Sequence, residues 1–416
     1  MPHTPAAQIL SETQSLSGTI IFIASYVVFA LGKFPGLKID RTGAAICGAI
    51  ATVVFRAVSG RDALRFVDFS TIALLFAMMF VVGTLRLAGF FEWNVELVLR
   101  HLPPRMLLPA IVLTCGVLSA FFVNDIVCLV MVPFVLTLTQ KLRLPPLPFL
   151  LAVATSANIG SVATITGNPQ NMLIGSLSGL GYRQFFFHLA PVAVVGLLLD
   201  CILLHWLFSA QLREPEAQLR SIPLPPLNLS HLVKPVLVAT GIVVAFLVGV
   251  PPALAAAAGA AILLISRSRD PRKLYAEIDW GLLVFFVGLF IIVGGAENSG
   301  FVDRLMRLAE RANLHTTIGF TTVTVLFSNL VSNVPSVMLL KSLVPGFANP
   351  SKAWMLLAMA STLAGNLTIT GSVANIIVVE TAKPDIHISF RDYFRVGLPI
   401  TVATILVGTI WLEYVG

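Results

Sequence analysis

The stretch SANIGSVATITGNPQNMLIG, residues 156–175, interrupts an apolar segment with glycine, threonine, asparagine and proline. A second stretch of the same kind, AGNLTITGSVAN, lies at 364–375. Proline removes a backbone donor and clashes with the preceding helical turn, so Gly-Asn-Pro ends a helix. Both stretches therefore predict helices that are broken part-way along their length, with backbone groups freed at the break.

The composition around these stretches is that of a membrane protein. The chain has 416 residues, 57% of them hydrophobic and 11% charged, whereas soluble domains carry about 25% charged residues. Apolar runs near the ~20 residues needed for a helical span recur along the chain. A transmembrane β-barrel would instead show alternating segments of ~10 residues. The sequence predicts an all-α polytopic membrane protein, and its N-terminus lacks the features of a cleaved signal peptide.

Four blocks of sequence recur in the same order in the two halves of the chain. They are VDFSTIALLFAMMFVVGTLRLAGFFE from Val67 with IDWGLLVFFVGLFIIVGGAENSGFVD from Ile278, SAFFVND (119–125) with SNLVSNV (328–334), TITG at 164–167 with TITG at 368–371, and YRQFFFHLAP (182–191) with FRDYFRVGLP (390–399). We interpret the chain as a first repeat (1–210), a Pro-rich cytoplasmic linker (211–234) and a second repeat (235–416).

Each repeat has a long run with a polar centre, followed by a broken segment. The runs 107–139 and 316–341 are long for one span and short for two, which predicts re-entrant hairpins with polar tips. Irregular backbone at membrane depth persists only where protein or a water-filled cavity surrounds it. The predicted broken helices cover 149–178 and 353–379.

Each repeat then has about five true spans, and an odd number gives the two repeats inverted topology, as in many secondary transporters. Eighteen of the 27 Lys and Arg residues fall on one predicted face of the membrane. The positive-inside rule makes that face cytoplasmic. We therefore expect a bacterial-type inner membrane protein with both termini extracytoplasmic.

A broken helix exposes N–H groups and a partial positive charge where its second half begins, and carbonyls where its first half ends. The N–H end suits an anionic or hydroxylated solute, and the carbonyl end suits a cation such as Na⁺. Close helix packing is the alternative reason for small and hydroxyl residues in such segments. The candidate binding residues are Asn124, Asp125, Asn158, Thr164, Thr166, Asn168, Asn171, Ser332, Asn333, Asn366, Thr368, Thr370, Ser372 and Asn375.

Asp125, at the first predicted hairpin tip, is the candidate for proton coupling, because an ionisable side chain within the membrane is costly. The alternative is a tip that reaches water. Asp200 and His205 have no counterparts in the second repeat, and their near-helical spacing predicts a pair. The coupling ion is expected to be H⁺ or Na⁺, with Na⁺ near Asn124, Asn168, Asn333 or Asn366.

Several function classes are disfavoured. The +7 net charge comes from basic residues spread over short loops, which indicates membrane topology and no nucleic-acid partner. No H-E-x-x-H sequence or nucleophile elbow is present, so an enzyme, a metal site or a cofactor is not expected. The predicted tips and breaks contain no Lys or Arg, so a bound anion would be stabilised by amides, hydroxyls and helix ends.

The motifs resemble the ion transporter superfamily over essentially the whole length. AGFFEW (88–93) and LSAFFVNDIVCLVMVPFVL (118–136) resemble the arsenite permeases (ArsB), SVATITGNPQN (161–171) resembles divalent-anion/sodium symporters, and GNLTITGSVAN (365–375) is similar to NhaD-type antiporters. The resemblance implies a scaffold domain with a mobile transport domain, often in a homodimer, and an ATPase partner for an arsenite pump. Dicarboxylate symporters carry Ser-Asn-Thr at both tips, unlike this chain.

The expected function is a secondary active transporter that moves a small anion or oxyanion by alternating access, with the lipid bilayer as its surroundings. Two alternatives remain open. One is a sodium/proton antiporter of the NhaD type, and the other, from a different class, is an anion channel.

Overall fold

A computed structural model of the protein describes residues 12–32, 38–91, 93–94, 106–212, 229–265 and 271–415. Within those ranges it forms nineteen α-helices and no β-strand. Six of these helices are long and apolar enough to cross a membrane. The predicted all-α polytopic class is confirmed.

The helices follow the chain as two series. The first series is α1 (Glu12–Leu31), α2 (Arg41–Val54), α3 (Gly60–Phe66), α4 (Phe69–Leu87), α5 (Leu107–Phe121), α6 (Asn124–Lys141), α7 (Leu147–Ser161), α8 (Pro169–Ser178) and α9 (Tyr182–Leu207). The second series is α10 (Leu229–Leu247), α11 (Pro252–Leu264), α12 (Pro271–Tyr275), α13 (Trp280–Asn298), α14 (Phe301–Arg311), α15 (Thr317–Val331), α16 (Asn333–Leu340), α17 (Pro350–Ala364), α18 (Val373–Ala382) and α19 (Phe390–Val415). Two 3₁₀ segments lie at Lys341–Gly346 and Ile369–Gly371.

The long polar-centred runs are helix pairs. The run 107–139 is α5 and α6, joined at 122–123, and the run 316–341 is α15 and α16, joined at Ser332. With eighteen residues, α6 by itself has the length and hydropathy of a span. The re-entrant course of these two helix pairs therefore stays a prediction.

The linker is shorter than the sequence predicts. Helix α10 begins at Leu229, so the last residues of 211–234 are helical. Pro235 lies inside this helix, and a proline within a helix can bend it without ending it. Residues 213–228 of the predicted linker lie outside the described part of the chain.

Both predicted breaks are present. Helix α7 ends at Ser161 and α8 begins at Pro169, where Asn168 Oδ1 accepts a hydrogen bond from Asn171 N at 2.9 Å. An Asn N-cap followed by Pro at the first helical position is a strong helix start. In the second half α17 ends at Ala364, and α18 begins only at Val373 after a 3₁₀ turn. The interrupting residues of the sequence thus separate half-helices as expected.

The two polar tips have non-helical backbone. Val123 precedes α6 with φ −49° and ψ 121°, and Asn124 N donates to the carbonyl of Gly167 at 2.9 Å. Ser332, between α15 and α16, has φ 78° and ψ 161°. That conformation is nearly restricted to glycine and costs an L-residue on the order of 1–3 kcal/mol. The second tip is therefore a strained point that surrounding contacts stabilise.

Helices of the two halves pack against one another reciprocally. Helix α2 packs on α13 and α4 packs on α11, while the long helices α9 and α19 pack together. At the centre, α6 contacts α18 and α16 contacts α8. This arrangement places the tip of each half beside the broken helix of the other.

Close backbone contact joins α5 to α7. A Cβ atom at Gly160 would overlap the backbone of Gly116, carbonyl oxygen included. Interiors packed to this density cannot take an added methyl group without moving one helix. The position of α7, and with it the first break, depends on glycine at residue 160.

Ion pairs join neighbouring helix ends. Arg86 Nη1 lies 2.9 Å from Glu277 Oε2, Lys341 Nζ lies 3.2 Å from Glu297 Oε1, and Lys352 Nζ lies 2.6 Å from Glu413 Oε2. Each pair joins segments that are far apart in the sequence. The assignment of the loops to the two faces of the membrane stays a prediction.

Replacing Gly160 by Ala is expected to destabilise the protein by about 1–3 kcal/mol, the usual cost of overpacking. The measurement is thermal unfolding in detergent, followed by tryptophan fluorescence. Gly241→Ala is the matched control, because a Cβ at that helical position meets nothing within 4 Å. It should leave the protein unchanged or raise its stability by about 0.5–1 kcal/mol. Equal losses in both variants would contradict the packing argument.

Candidate functional site

Four helices begin close together in the core of the molecule. They are α6 at Asn124, α8 at Pro169, α16 at Asn333 and α18 at Val373. The first N–H groups of a helix lack partners within the helix and carry a partial positive charge. Their convergence makes the centre favourable for oxygen atoms that accept hydrogen bonds.

Asn158, near the end of α7, joins the polar side chains at this point. Its Oδ1 accepts from Asn124 Nδ2 at 3.1 Å and from Ser372 Oγ at 2.9 Å. Its Nδ2 donates to Asn366 Oδ1 and to Asn375 Oδ1, both at 2.9 Å. These five residues form the central cluster, and all are buried. It unites the first tip with both broken helices.

A second group of polar residues lies alongside. Asn168 Nδ2 donates to Thr362 Oγ1 at 3.3 Å, and Gln170 Nε2 donates to the same hydroxyl at 3.1 Å. With its amide oriented to satisfy both atoms, Asn333 donates to the carbonyls of Ser361 and Gly371 and accepts from Gln170 Nε2 at 3.3 Å. We call Asn168, Gln170, Asn171, Asn333 and Thr362 the flanking cluster. It joins the second tip to both broken helices.

Asn171 and Asn375 make the same contacts in the two halves. Asn171 Nδ2 donates to the carbonyls of Ser161 and Thr164 at 3.1 and 3.0 Å. Asn375 Nδ2 donates to the carbonyls of Gly365 and Thr368, the latter at 3.0 Å. Since the amide donors satisfy carbonyls freed by the breaks, these two residues stabilise the break itself. Their Oδ1 atoms face the other half, towards Thr362 and Asn158 respectively.

The candidate threonines lie away from the central cluster. Thr164 donates to the carbonyl of Ala120, and Thr166 contacts the Tyr182 hydroxyl at 3.1 Å. Thr368 donates to Asn329 Oδ1 at 3.1 Å, while Thr370 is exposed. Ser332 is half-buried at the second tip. The structure thus brings eight of the candidates into the two clusters, namely Asn124, Asn158, Asn168, Asn171, Asn333, Asn366, Ser372 and Asn375.

Asp125 lies directly beside the central cluster but outside its hydrogen bonds. The side chain is half-buried, and within the described part of the chain it makes no hydrogen bond or ion pair. No fixed cation lies beside Asp125 among the described residues. A partly buried carboxylate without a fixed cation is a natural place for a proton or a small cation.

Asn124 leaves one acceptor open. Its Oδ1 is buried and has no hydrogen-bond partner among the described residues. A buried polar atom without a partner costs about 1–3 kcal/mol, so such an atom at a cavity or contact point indicates a missing donor. The central cluster is therefore incomplete by one hydrogen-bond donor.

Sequence reasoning missed some residues and made one wrong pairing. Gln170 lies inside the quoted first stretch, and Thr362 occupies the position that matches Asn158 when the two TITG motifs are aligned. That alignment is the signal that identifies Thr362. Asp200 is fully buried whereas His205 is exposed, so their predicted pair is wrong. Five residues separate them on α9, which places them on different faces of the helix.

The two clusters contain only neutral amides and hydroxyls. Within the described ranges, no Lys or Arg side chain contacts either cluster, and no group of His, Cys, Asp and Glu could bind a metal ion. Such a site can exchange its internal hydrogen bonds for those of a small polar solute. It offers several donors, the N-terminal ends of four half-helices and one unpartnered acceptor.

Asn171→Ala is expected to lower stability markedly, because the carbonyls of Ser161 and Thr164 would lose their donor at about 1–3 kcal/mol for each buried group. Thr370→Ala, at the exposed end of the second TITG, should change little. Thermal unfolding of both variants measures the difference. If Asn171→Ala unfolded like the wild type, the assignment of Asn171 to stabilising the break would be wrong.

This chain is similar to known membrane proteins, several of which are named as transporters. The model of the citrate transporter family (CitMHS) matches residues 26–362. The silicon efflux transporter LSI3 of Oryza sativa subsp. japonica is 30% identical, over 94% of this chain and 96% of that protein. A 46 kDa membrane protein of Mycobacterium leprae is 29% identical, over 96% and 99%. The fold resembles the crystal structure of the Alcanivorax borkumensis YdaH transporter, with a TM-score of 0.57 at 12% identity over 96% and 97% of the two chains.

Proposed function

This chain belongs to the citrate transporter family, and from that premise we propose that it is a secondary active transporter of a small oxyanion or oxyacid, coupled to H⁺ or Na⁺. That it is a membrane transporter, as the sequence predicted, is confirmed by the family and by the similar relatives. The resemblance to the ArsB-like superfamily is confirmed as well. The identity of the cargo, the coupling ion and the kind of membrane are what we propose.

The unpartnered Oδ1 of Asn124 is the observation that carries the cargo class. A fully ionised anion has no hydrogen to donate to this oxygen, and a bare cation that coordinates it offers no acceptor to the surrounding amide and hydroxyl donors. An oxyacid with a remaining hydroxyl can donate to it and can also accept from Asn124 Nδ2, Asn158 Nδ2 and Ser372 Oγ. A solute with both capacities can satisfy the open acceptor and can also replace hydrogen bonds that its entry breaks, which lowers the cost of binding.

The neutrality of the site disfavours citrate. Multiply charged carboxylates are usually recognised by Arg and Lys side chains or by metal ions, and the central cluster contains neither among the described residues. Citrate would therefore need co-bound cations. A relative named as a silicon efflux transporter is 30% identical to this chain, and we take this similarity as support for a small oxyacid as the cargo here.

Alternating access is supported by the packing between the two halves of the chain. Each tip contacts the broken helix of the other half, so a movement of either half changes the site. We propose that the halves are inverted repeats in an inner membrane, with extracytoplasmic termini. The homodimer implied by the sequence resemblance belongs to the same proposal.

Cargo selectivity is tested with purified protein in liposomes. Uptake of arsenite and silicate against an imposed gradient of H⁺ or Na⁺ should exceed that of empty liposomes, and citrate should compete weakly. Uptake of citrate alone would overturn the proposed cargo. Na⁺-dependent loss of a pH gradient without any anion would instead identify a sodium/proton antiporter, and flux limited to the electrochemical gradient would identify a channel.

Asp125→Asn should abolish the stimulation of uptake by a pH gradient, with a loss of about tenfold or more, because the variant cannot exchange a proton. Exchange of labelled for unlabelled cargo, which needs no net proton movement, should continue. Asp303→Asn, at an exposed position of α14, is the matched control and should behave like the wild type. If Asp125→Asn retained full pH-driven uptake, Asp125 would not be the coupling residue.

A further inference from the structure

A second carboxyl is buried in the core of the molecule and is unused by the proposed cargo site. Asp200 lies within α9 and is fully buried, at 0% exposure. Its Oδ2 lies 3.1 Å from the hydroxyl of Thr155 on α7, and its Oδ1 has no partner among the described residues. A buried ionised carboxylate with a single weak partner is strongly disfavoured. A protonated, neutral carboxyl at this place is not disfavoured in this way.

The hydroxyl of Thr155 supplies an independent argument for the neutral acid. That hydroxyl also lies 2.9 Å from the carbonyl of Leu151, which can only accept. A hydroxyl has one hydrogen, and within a helix it usually donates to the carbonyl four residues earlier. The 3.1 Å contact with Asp200 is then a full hydrogen bond only if the carboxyl donates its own proton to Thr155 Oγ1.

The groups that face Asp200 do not supply a counter-charge. The titratable groups near enough to interact with its charge are the Cys115 thiol of α5, the Tyr393 hydroxyl of α19 and the thiol of Cys201, the next residue on α9. Across the described residues of α7, α10 and α17, which also pack against α9, no Lys, Arg or His side chain pairs with the carboxyl. The Tyr393 hydroxyl is buried and unpartnered as well. The pocket around Asp200 therefore contains weakly polar, uncharged groups.

Thr155 connects this pocket to the central cluster. Its backbone carbonyl accepts a hydrogen bond from Asn366 Nδ2 at 3.3 Å, and Asn366 Oδ1 accepts from Asn158. When Asp200 loses its proton, the Thr155 hydroxyl has to turn from Leu151 to the carboxylate. That rotation changes α7 at the residue whose carbonyl contacts the cluster.

We propose that Asp200 is a second proton-binding site of the transporter, occupied by a proton in this structure, and that Thr155 is the positioning residue that transmits its protonation state to the central cluster. The proton passes between Asp200 and water during the transport cycle, and no other group gains or loses a proton in this step. The transmission to the cargo site rests on the proposed function, whereas the bound proton does not.

Infrared spectroscopy of the purified protein tests the bound proton without any transport. At neutral pH the wild type should show the C=O stretch of a protonated carboxyl, and Asp200→Asn should lack that band. Thr155→Val, which is isosteric, should retain the band at a higher frequency because the acid has lost its hydrogen-bond partner. Thr404→Val is the matched control, since the Thr404 hydroxyl donates to its own helix at Ile400, and it should leave the band unchanged.

The proposal would be overturned if Asp200→Asn lost the bands of an ionised carboxylate and kept the C=O stretch of the protonated carboxyl. It would also be overturned if that C=O stretch had the wild-type frequency in Thr155→Val. The second variant keeps the test decisive if the first fails to fold. In liposomes, Asp200→Asn should reduce the number of protons moved per cargo by one, measured from the reversal potential. If Asp200→Asn lost the infrared band but moved the same number of protons per cargo, Asp200 would be a permanently protonated acid. That result would overturn only the proposed release of its proton during transport.

Discussion

The hydrogen bonds of Asn158 are the interaction on which the rest of the structure depends. This one amide accepts from the first tip and from Ser372, and donates to two asparagines of the second broken helix. Both half-helical breaks expose backbone groups that the bilayer cannot satisfy. The breaks are stable because a side-chain amide of each half satisfies the carbonyls of its own break. The amides that join the two halves through Asn158 form a neutral site for a polar solute.

The reciprocity of these contacts explains why function needs two copies of one pattern. Asn171 and Asn375 satisfy corresponding carbonyls within their own breaks and turn their Oδ1 atoms to the opposite half. Thr362 stands where the other half has Asn158, so the two sides of the centre are related in backbone and different in chemistry. Each cluster contains four amides and one hydroxyl, but among these residues only Asn124, on the Asn158 side, has a buried acceptor without a partner, which makes the cargo site asymmetric.

Much of this could be predicted from local sequence. Gly-Asn-Pro at the first break and the repeated TITG motif predict broken helices, because proline and clustered polar residues are incompatible with an uninterrupted apolar helix. The burial of Asp200 could not be predicted that way, since it depends on which face of α9 meets α7. The strained backbone of Ser332 was equally invisible, because serine carries no signal for positive φ. Long-range packing determines both features.

Binding of an oxyacid at the central cluster is tested most directly by X-ray diffraction from crystals grown with arsenite, recorded at the arsenic absorption edge. The anomalous difference map locates arsenic without reference to any assumed site. If the central cluster is the cargo site, one peak is expected within hydrogen-bonding reach of Asn124 Oδ1 and Asn158, beside the start of α18. A peak elsewhere in the transporter, with the hydrogen bonds of Asn158 intact, would contradict it.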